Sequence, residues 1–148
     1  IEMDRRVKRA ASHDEDCMRL MTVPAVGPIA ALTFKAAVDD PMRFKSSRTV
    51  AAHFGLTPRR YQSGESDNPG RISRAGDRDV RSTLYSAANA MLMRTMAASQ
   101  LKSWGMRLMR TKGRRRAVVA VARKLAVLLH RMWIENTEFR LEGLEGIK

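Results

Sequence analysis

The chain carries a single cysteine, Cys17, so no disulfide framework can staple it and a reducing compartment suits it. No stretch reaches the roughly 20 uncharged apolar residues that a bilayer-spanning helix needs. The nearest, residues 117–133, is interrupted by Arg123, Lys124 and Arg131. No secretory signal is visible either, so the expected location is the cytoplasm and no membrane partner is expected. His13 and Cys17 stand four apart, but no second ligand pair lies at metal-site spacing, so no metal is expected in this chain. Acid is also short: 28 Lys and Arg face 15 Asp and Glu, a formal charge of +13. Between residues 99 and 116 there is no acid at all, only Lys102, Arg107, Arg110, Lys112, Arg114, Arg115 and Arg116. A solvated helix face would interleave acids with such cations, whereas a phosphate-facing surface would not. The balance points to a polyanionic partner, nucleic acid before a membrane surface or a ribosome-like scaffold.

Residues 2–21 read as one charged helix with a thin apolar seam of Met3, Val7, Ala10, Ala11, Met18 and Leu20 or Met21, like the end of a coiled coil; Arg5, Arg6, Lys8, Arg9 and Arg19 nearly balance its acids. Pro24 and the Val26-Gly27-Pro28 turn stop it, and a helix over 28–38 follows, ended by Asp39-Asp40-Pro41. Ser46 or Ser47 can cap a short helix through Phe54, with Gly55 at its C-terminal end. Residues 57–76 hold Pro58, Gly64, Pro69, Gly70 and Gly76 between arginines, and read as a long basic loop that orders on binding, with one extended piece near residues 71–73. Asp77 or Gly76 opens a long helix with Val80, Leu84, Ala87, Ala88, Met91 and Met96 inward. A helix over 101–110, with Leu101, Trp104 and Leu108 inward, ends at Gly113. The last, 114–136, is apolar nearly all round and belongs at the centre of a bundle. No strand pair and no internal repeat are evident. The expected class is all-α: a helical bundle with a helix-hairpin-helix-like N-terminal hairpin and a long basic Gly/Pro-containing loop.

Two segments could carry chemistry. The hairpin Thr22 to Ala31 looks like a helix-hairpin-helix, in which Gly27 and the next helix's N-terminus aim amides at a phosphate. Ala25 stands where glycine is common, Pro28 removes one donor, and a tight helix–helix turn is the equal alternative. The second segment is Pro58-Arg59-Arg60-Tyr61-Gln62-Ser63-Gly64, continuing to Gly70-Arg71-Ile72-Ser73-Arg74. Arginines flank a loop serine on both sides, and Tyr61 could stack on a base or sugar. A hydroxyl attacking a phosphodiester needs positive charge around the phosphoryl oxygens and an open approach. By itself, though, a Ser-Gly pair is usually just a turn.

Several pieces in order carry a resemblance: Val23-Pro24-Ala25-Val26-Gly27-Pro28, Phe54-Gly55-Leu56-Thr57-Pro58-Arg59, Ser63-Gly64, Gly70-Arg71-Ile72-Ser73, Gly76-Asp77-Arg78, Ala122-Arg123-Lys124-Leu125-Ala126 and His130-Arg131-Met132-Trp133. Through them residues 23–138 resemble the C-terminal domain of the insertion-sequence transposases related to Piv-type DNA invertases. The resemblance implies a division into the end of a coiled coil or linker helix (1–21), the serine-bearing DNA-binding domain (22–140) and a tail (141–148). It implies that Ser63 is the nucleophile of strand cleavage and exchange, with Ser66 and Ser73 as local competitors. Arg59, Arg60, Tyr61, Gly64, Arg71, Ser73, Arg74, Arg78, Arg81 and Gly27 would then bind nucleic acid. It further implies a prokaryotic mobile element, DNA and a structured guide RNA as partners, a homo-oligomer, and Mg2+ held by four acids of a RuvC-like domain that this chain lacks. Asp39 with Asp40, and Asp77 with Asp79, suit helix ends better than metal. The fragment alone is therefore expected to bind nucleic acid without cutting it. Glu65 and Ala75 depart from the family pattern. The alternative is a non-catalytic nucleic-acid-binding module in which Ser63 is a turn residue.

Overall fold

The computed structural model describes residues 2–63, 66–72, 77–94 and 99–139, with the backbone course alone for 58–63 and 66–72. The charged N-terminal segment forms two helices instead of the one expected, α1 (Glu2–Ser12) and α2 (Glu15–Leu20). The break is local chemistry. The Ser12 hydroxyl donates back to the Arg9 carbonyl, and Asp14, in extended conformation, accepts from the Cys17 N–H at 3.0 Å. Short polar side chains offer the backbone such alternatives to helical bonding, and here they win.

Helix α3 (Pro28–Val38) ends at Asp39, and a 3-10 turn, Pro41–Arg43, follows. Arg43 folds back so that Nε and Nη2 donate to the carbonyls of Val38 (2.7 Å) and Ala37 (3.1 Å), satisfying acceptors at the end of α3. Next come α4 (Ser47–His53), α5 (Arg78–Met93), α6 (Gln100–Lys112) and α7 (Arg114–Glu135). Asp77 caps α5 by accepting from the N–H groups of Asp79 and Val80, and Ser99 caps α6 by accepting from Lys102.

The bundle is all-α, and α7 is its hub. Ala117, Val118, Val121, Ala122, Leu125, Ala126, Leu129, Met132 and Trp133 are buried along one broad face, against α2, α4, α5 and α6, while Lys124, Arg131 and Glu135 on the other side are exposed. Phe34 of α3 bridges Phe54 and Trp133, with ring centroids 6.1 and 6.5 Å apart. On α5 the expected face is buried, from Val80 through Met91; Met96 lies outside the described residues. On helix α6 the expected residues pack against the core. Leu101, Trp104 and Leu108 are only partly buried, and the contact centres on Gly105. A Cβ at Gly105 would stand 2.7 Å from both Leu92 Cδ2 and Val121 Cγ2, so the missing side chain is what lets α6 close on its neighbours.

The segment expected to be an unpaired loop is the second correction. Its backbone forms an antiparallel pair, β1 (Pro58–Ser63) with β2 (Ser66–Ile72). Pro58 pairs with Ile72 and Arg60 with Pro69, so Gly70 and Arg71 together oppose Arg59, a β-bulge. In a two-stranded ribbon each strand keeps a free edge, where a proline such as Pro69 is tolerated. Its prolines and glycines therefore shape the ribbon without breaking it.

Candidate nucleic-acid interface

The hairpin is mounted on the end of α4. Gly55 takes φ +72, its N–H donates to the Ala52 carbonyl, and the N–H of Leu56 donates to that of Ala51 at 3.0 Å. This paired closure is a Schellman motif, and the buried Leu56 locks it before Pro58 begins β1. Across the root, Arg81 of α5 donates from Nη1 to the Phe54 carbonyl at 3.3 Å.

Ser63 is the last residue of β1, and its register partner is Ser66, the first of β2. Arg59, Arg60 and Tyr61 lie on β1 and Arg71 near the end of β2. Gly64, Ser73 and Arg74 lie outside the described residues. Arg78 is exposed at the start of α5, and Arg81, one turn on, is half-buried. The backbone thus carries Arg59, Arg60, Tyr61, Ser63 and Arg71 on one ribbon whose root is braced by Arg81.

Gly27 belongs to a separate element, the turn between α2 and α3. Val23 and Val26 are buried and joined by a backbone bond, Val26 N–H to Val23 carbonyl, at 3.0 Å. Between them Ala25 is held at φ +78, a left-handed conformation that costs a side-chain-bearing residue about 1–2 kcal/mol. Gly27 is the N-cap of α3 and contributes no side-chain bond, Pro28 occupies the first turn, and no acid lies in that turn. Nothing stands within 4 Å of where a Gly27 Cβ would be. The amides of Ile29, which is exposed, and of Ala30, which is buried, have no helical acceptors. The turn is braced at both flanks. Thr22 Oγ1 donates to the Arg19 carbonyl (2.6 Å) and accepts from the Phe139 N–H (2.9 Å). Lys35 Nζ pairs with Asp14 and with Asp16 (3.1 Å), joining α2 to α3. The Lys35 hydrogen bond holds the Asp14 carboxyl below its usual range; burial pulls the Lys35 amine down, but its bonds to Asp14 and Asp16 outweigh that and raise it.

Other titratable groups have structural employment. Burial pushes the Cys17 thiol up to about 11, which keeps it from being a reactive thiolate. Asp40 accepts from the Met42 N–H and Asp77 caps α5. Among the described residues no group of three His, Cys, Asp or Glu could hold a metal ion, so the acids here do not fit a Mg2+ site. Among the described residues no helix is long and apolar enough to cross a membrane. One buried polar network went unread in the sequence. His130 of α7 is 2% exposed, with Nε2 2.8 Å from the Pro41 carbonyl and Nδ1 2.8 Å from Ser47 Oγ. A carbonyl can only accept, so Nε2 carries the proton and the Ser47 hydroxyl donates to Nδ1. The only signal was a lone histidine following the apolar run Leu125 to Leu129.

The profile of the IS116/IS110/IS902 transposase family matches residues 17–103. A putative transposase of Sinorhizobium fredii is 34% identical over 140 residues, covering 93% of this chain and 36% of that protein. The transposase for insertion sequence element IS1111A of Coxiella burnetii is 32% identical over 94% of this chain and 38% of its own length. The pilin gene-inverting protein of Moraxella bovis is 28% identical over 81% of this chain and 37% of its own length. The chain spans a little over a third of the length of these relatives. With most of its described fold inside the matched segment, the chain belongs to the IS116/IS110/IS902 transposase family.

Proposed function

We propose that this chain is the DNA-binding, serine-bearing domain of a transposase, and that Ser63 is its nucleophile. Ser63 Oγ attacks a backbone phosphorus, and the new O–P bond forms as the P–O bond to the leaving sugar oxygen breaks. That oxygen takes up a proton, and the serine proton passes to a base or to water. A phosphoserine link conserves bond energy for rejoining. Arg59, Arg60, Arg71, Arg74, Arg78 and Arg81 hold the phosphates and offset charge in the transition state. Gly27, with the first turn of α3, grips a further phosphate as a helix-hairpin-helix does. The observation that carries the reading is the ribbon: Ser63 ends β1, on the same pair of strands as Arg59, Arg60 and Arg71, above a root anchored by the Schellman turn and Arg81. The relatives named as transposases and as pilin gene-inverting proteins support strand exchange as the reaction class.

The Mg2+ belongs to a RuvC-like domain of the full-length protein, so this chain by itself binds DNA without cutting it. A structured RNA from the same element guides the assembly, which is a homo-oligomer because strand exchange must bring two duplexes together. A binding-only reading draws on the open α3 N-terminus, which needs no serine chemistry. Trapping the full-length reaction in denaturant and mapping DNA-linked peptides by mass spectrometry separates the two. An adduct on Ser63, lost in Ser63→Ala with DNA binding intact, is expected. Recombination that persists in Ser63→Ala would leave the binding module.

A further inference from the structure

The α6–α7 turn is a cationic tip that carries no acid of its own. Arg107, Arg110, Lys112, Arg114, Arg115 and Arg116 are all exposed. The chain reverses at Gly113, φ +89, so the end of α6 and the start of α7 present these charges together. The arrangement opposes helix electrostatics. Three arginines fill the first turn of a 22-residue helix whose N-cap supplies no side chain and whose first turn holds no acid. Cations there face the positive end of the helix dipole, a cost that an external anion relieves. A solvated face would instead alternate signs at helical spacing.

Position separates this tip from the ribbon. Arg114 Nη2 donates to Asn89 Oδ1 at 2.9 Å, while the ribbon root is tied to α5 at Arg81, one turn past the helix N-cap, Asp77. Asp77 and Asn89 are twelve residues apart, about 18 Å along the helix. The tip also lacks stacking platforms: residues 105–116 contain no aromatic, and Trp104, just before them, is half-buried with Lys124 Nζ 5.2 Å from its ring centroid. Proteins that hold single strands use exposed aromatics, whereas long cations alone suit the phosphates of a duplex.

We infer that the α6–α7 tip is a second duplex-DNA contact, reading backbone phosphate without sequence, at the end of α5 away from the β1–β2 ribbon. It rests on DNA as the partner of the domain, and the test separates the two claims. Binding of the full chain to a random-sequence duplex is followed by fluorescence anisotropy across salt concentrations. The wild type is compared with Arg110→Gln/Arg115→Gln/Arg116→Gln and with an equal loss of charge on α1, Arg5→Gln/Arg6→Gln/Arg9→Gln. Circular dichroism melts of each variant check folding; removing cations from the first turn of α7 should leave the melt unchanged or raise it. Each phosphate contact contributes about 0.9 to the slope of log K against log salt, so the tip variant should flatten that slope by about 2 to 3. The α1 variant should flatten it by less than one contact. An unchanged slope in the tip variant, or equal flattening in both, overturns the inference while leaving DNA binding standing. Loss confined to single-stranded DNA overturns the duplex assignment. A wild type without salt-dependent duplex affinity removes the proposed function itself, and this inference with it.

Discussion

Replacing Gly105 by alanine sets two opposing effects against each other. Alanine is the better helix former by about 0.8–1 kcal/mol, so on an exposed helix the change would stabilise. At Gly105 the added methyl would meet Leu92 Cδ2 and Val121 Cγ2 at 2.7 Å each, where carbon atoms prefer about 3.5–4.0 Å. Leu92 can swing its far end away. Val121 cannot do so cheaply, because it is fully buried on α7 and β-branched residues in helices hold one rotamer. Either α6 lifts off α7 or Val121 leaves its rotamer, an overpacking cost of about 1–3 kcal/mol. Net destabilisation of about 1 kcal/mol should follow, lowering the melting temperature by about 2–4 °C at this chain length. Thermal melts by circular dichroism would measure it, with Ser103→Ala as the exposed control on the same helix. Pairing Gly105→Ala with Val121→Ala should recover part of the methyl clash, so the two changes should cost less together than summed. A higher melting temperature for Gly105→Ala would refute the close approach of α6 to α7.

Ala25→Gly relieves the positive φ at the α2–α3 turn and should raise stability by about 1 kcal/mol in urea denaturation; no gain would mean that the turn is not held left-handed. His130→Leu strands the Ser47 hydroxyl and the Pro41 carbonyl and should cost about 2–3 kcal/mol, with His130→Gln losing less because its amide can restore one bond; equal losses would refute the network. The Asp14–Lys35 pair makes stability depend on pH at both extremes. The depressed carboxyl contributes above its unfolded pKa and loses that contribution as pH falls through the still lower folded value; the raised amine contributes below its unfolded pKa and loses it as pH climbs through the folded one. Denaturation curves of Lys35→Met should therefore be flatter than wild type below pH 4, and coincident acid limbs would count against the pair. Iodoacetamide should leave Cys17 unlabelled at neutral pH until denaturant is added.

The helix ends were legible where one side chain decides them. Asp77, Gly55 and Gly113 each act within a turn of their own position, so local sequence suffices. The centrality of α7 was legible in the length and density of its apolar run, although Lys124 and Arg131 keep one side of it in solvent. What stayed hidden depends on partners far along the chain. Pairing of β1 with β2 is decided between strands, and runs such as Pro69-Gly70 look the same in a loop as in a bulged ribbon. Gly105 reads as a helix weakness until Leu92 and Val121 are seen against it, and His130 reads as an oddity until Pro41 and Ser47 close on it from 89 and 83 residues away. The candidate site divides the same way. Residue types and order marked the ribbon, while its mounting on α4 through the Phe54 carbonyl and Arg81 needed the fold.

The bond from the Phe139 N–H to Thr22 has a kinetic meaning. Its partners are 117 residues apart, so it closes nearly the whole described chain into a loop. Contacts of that separation form after local ones, because the loop entropy must first be met by other packing, and an exposed end such as this one is where local opening begins. The turn bearing Gly27 therefore shares an opening event with the segment beyond α7. Hydrogen exchange at the amides around Thr22 should accelerate together with that of Phe139, while the α5–α7 core stays protected.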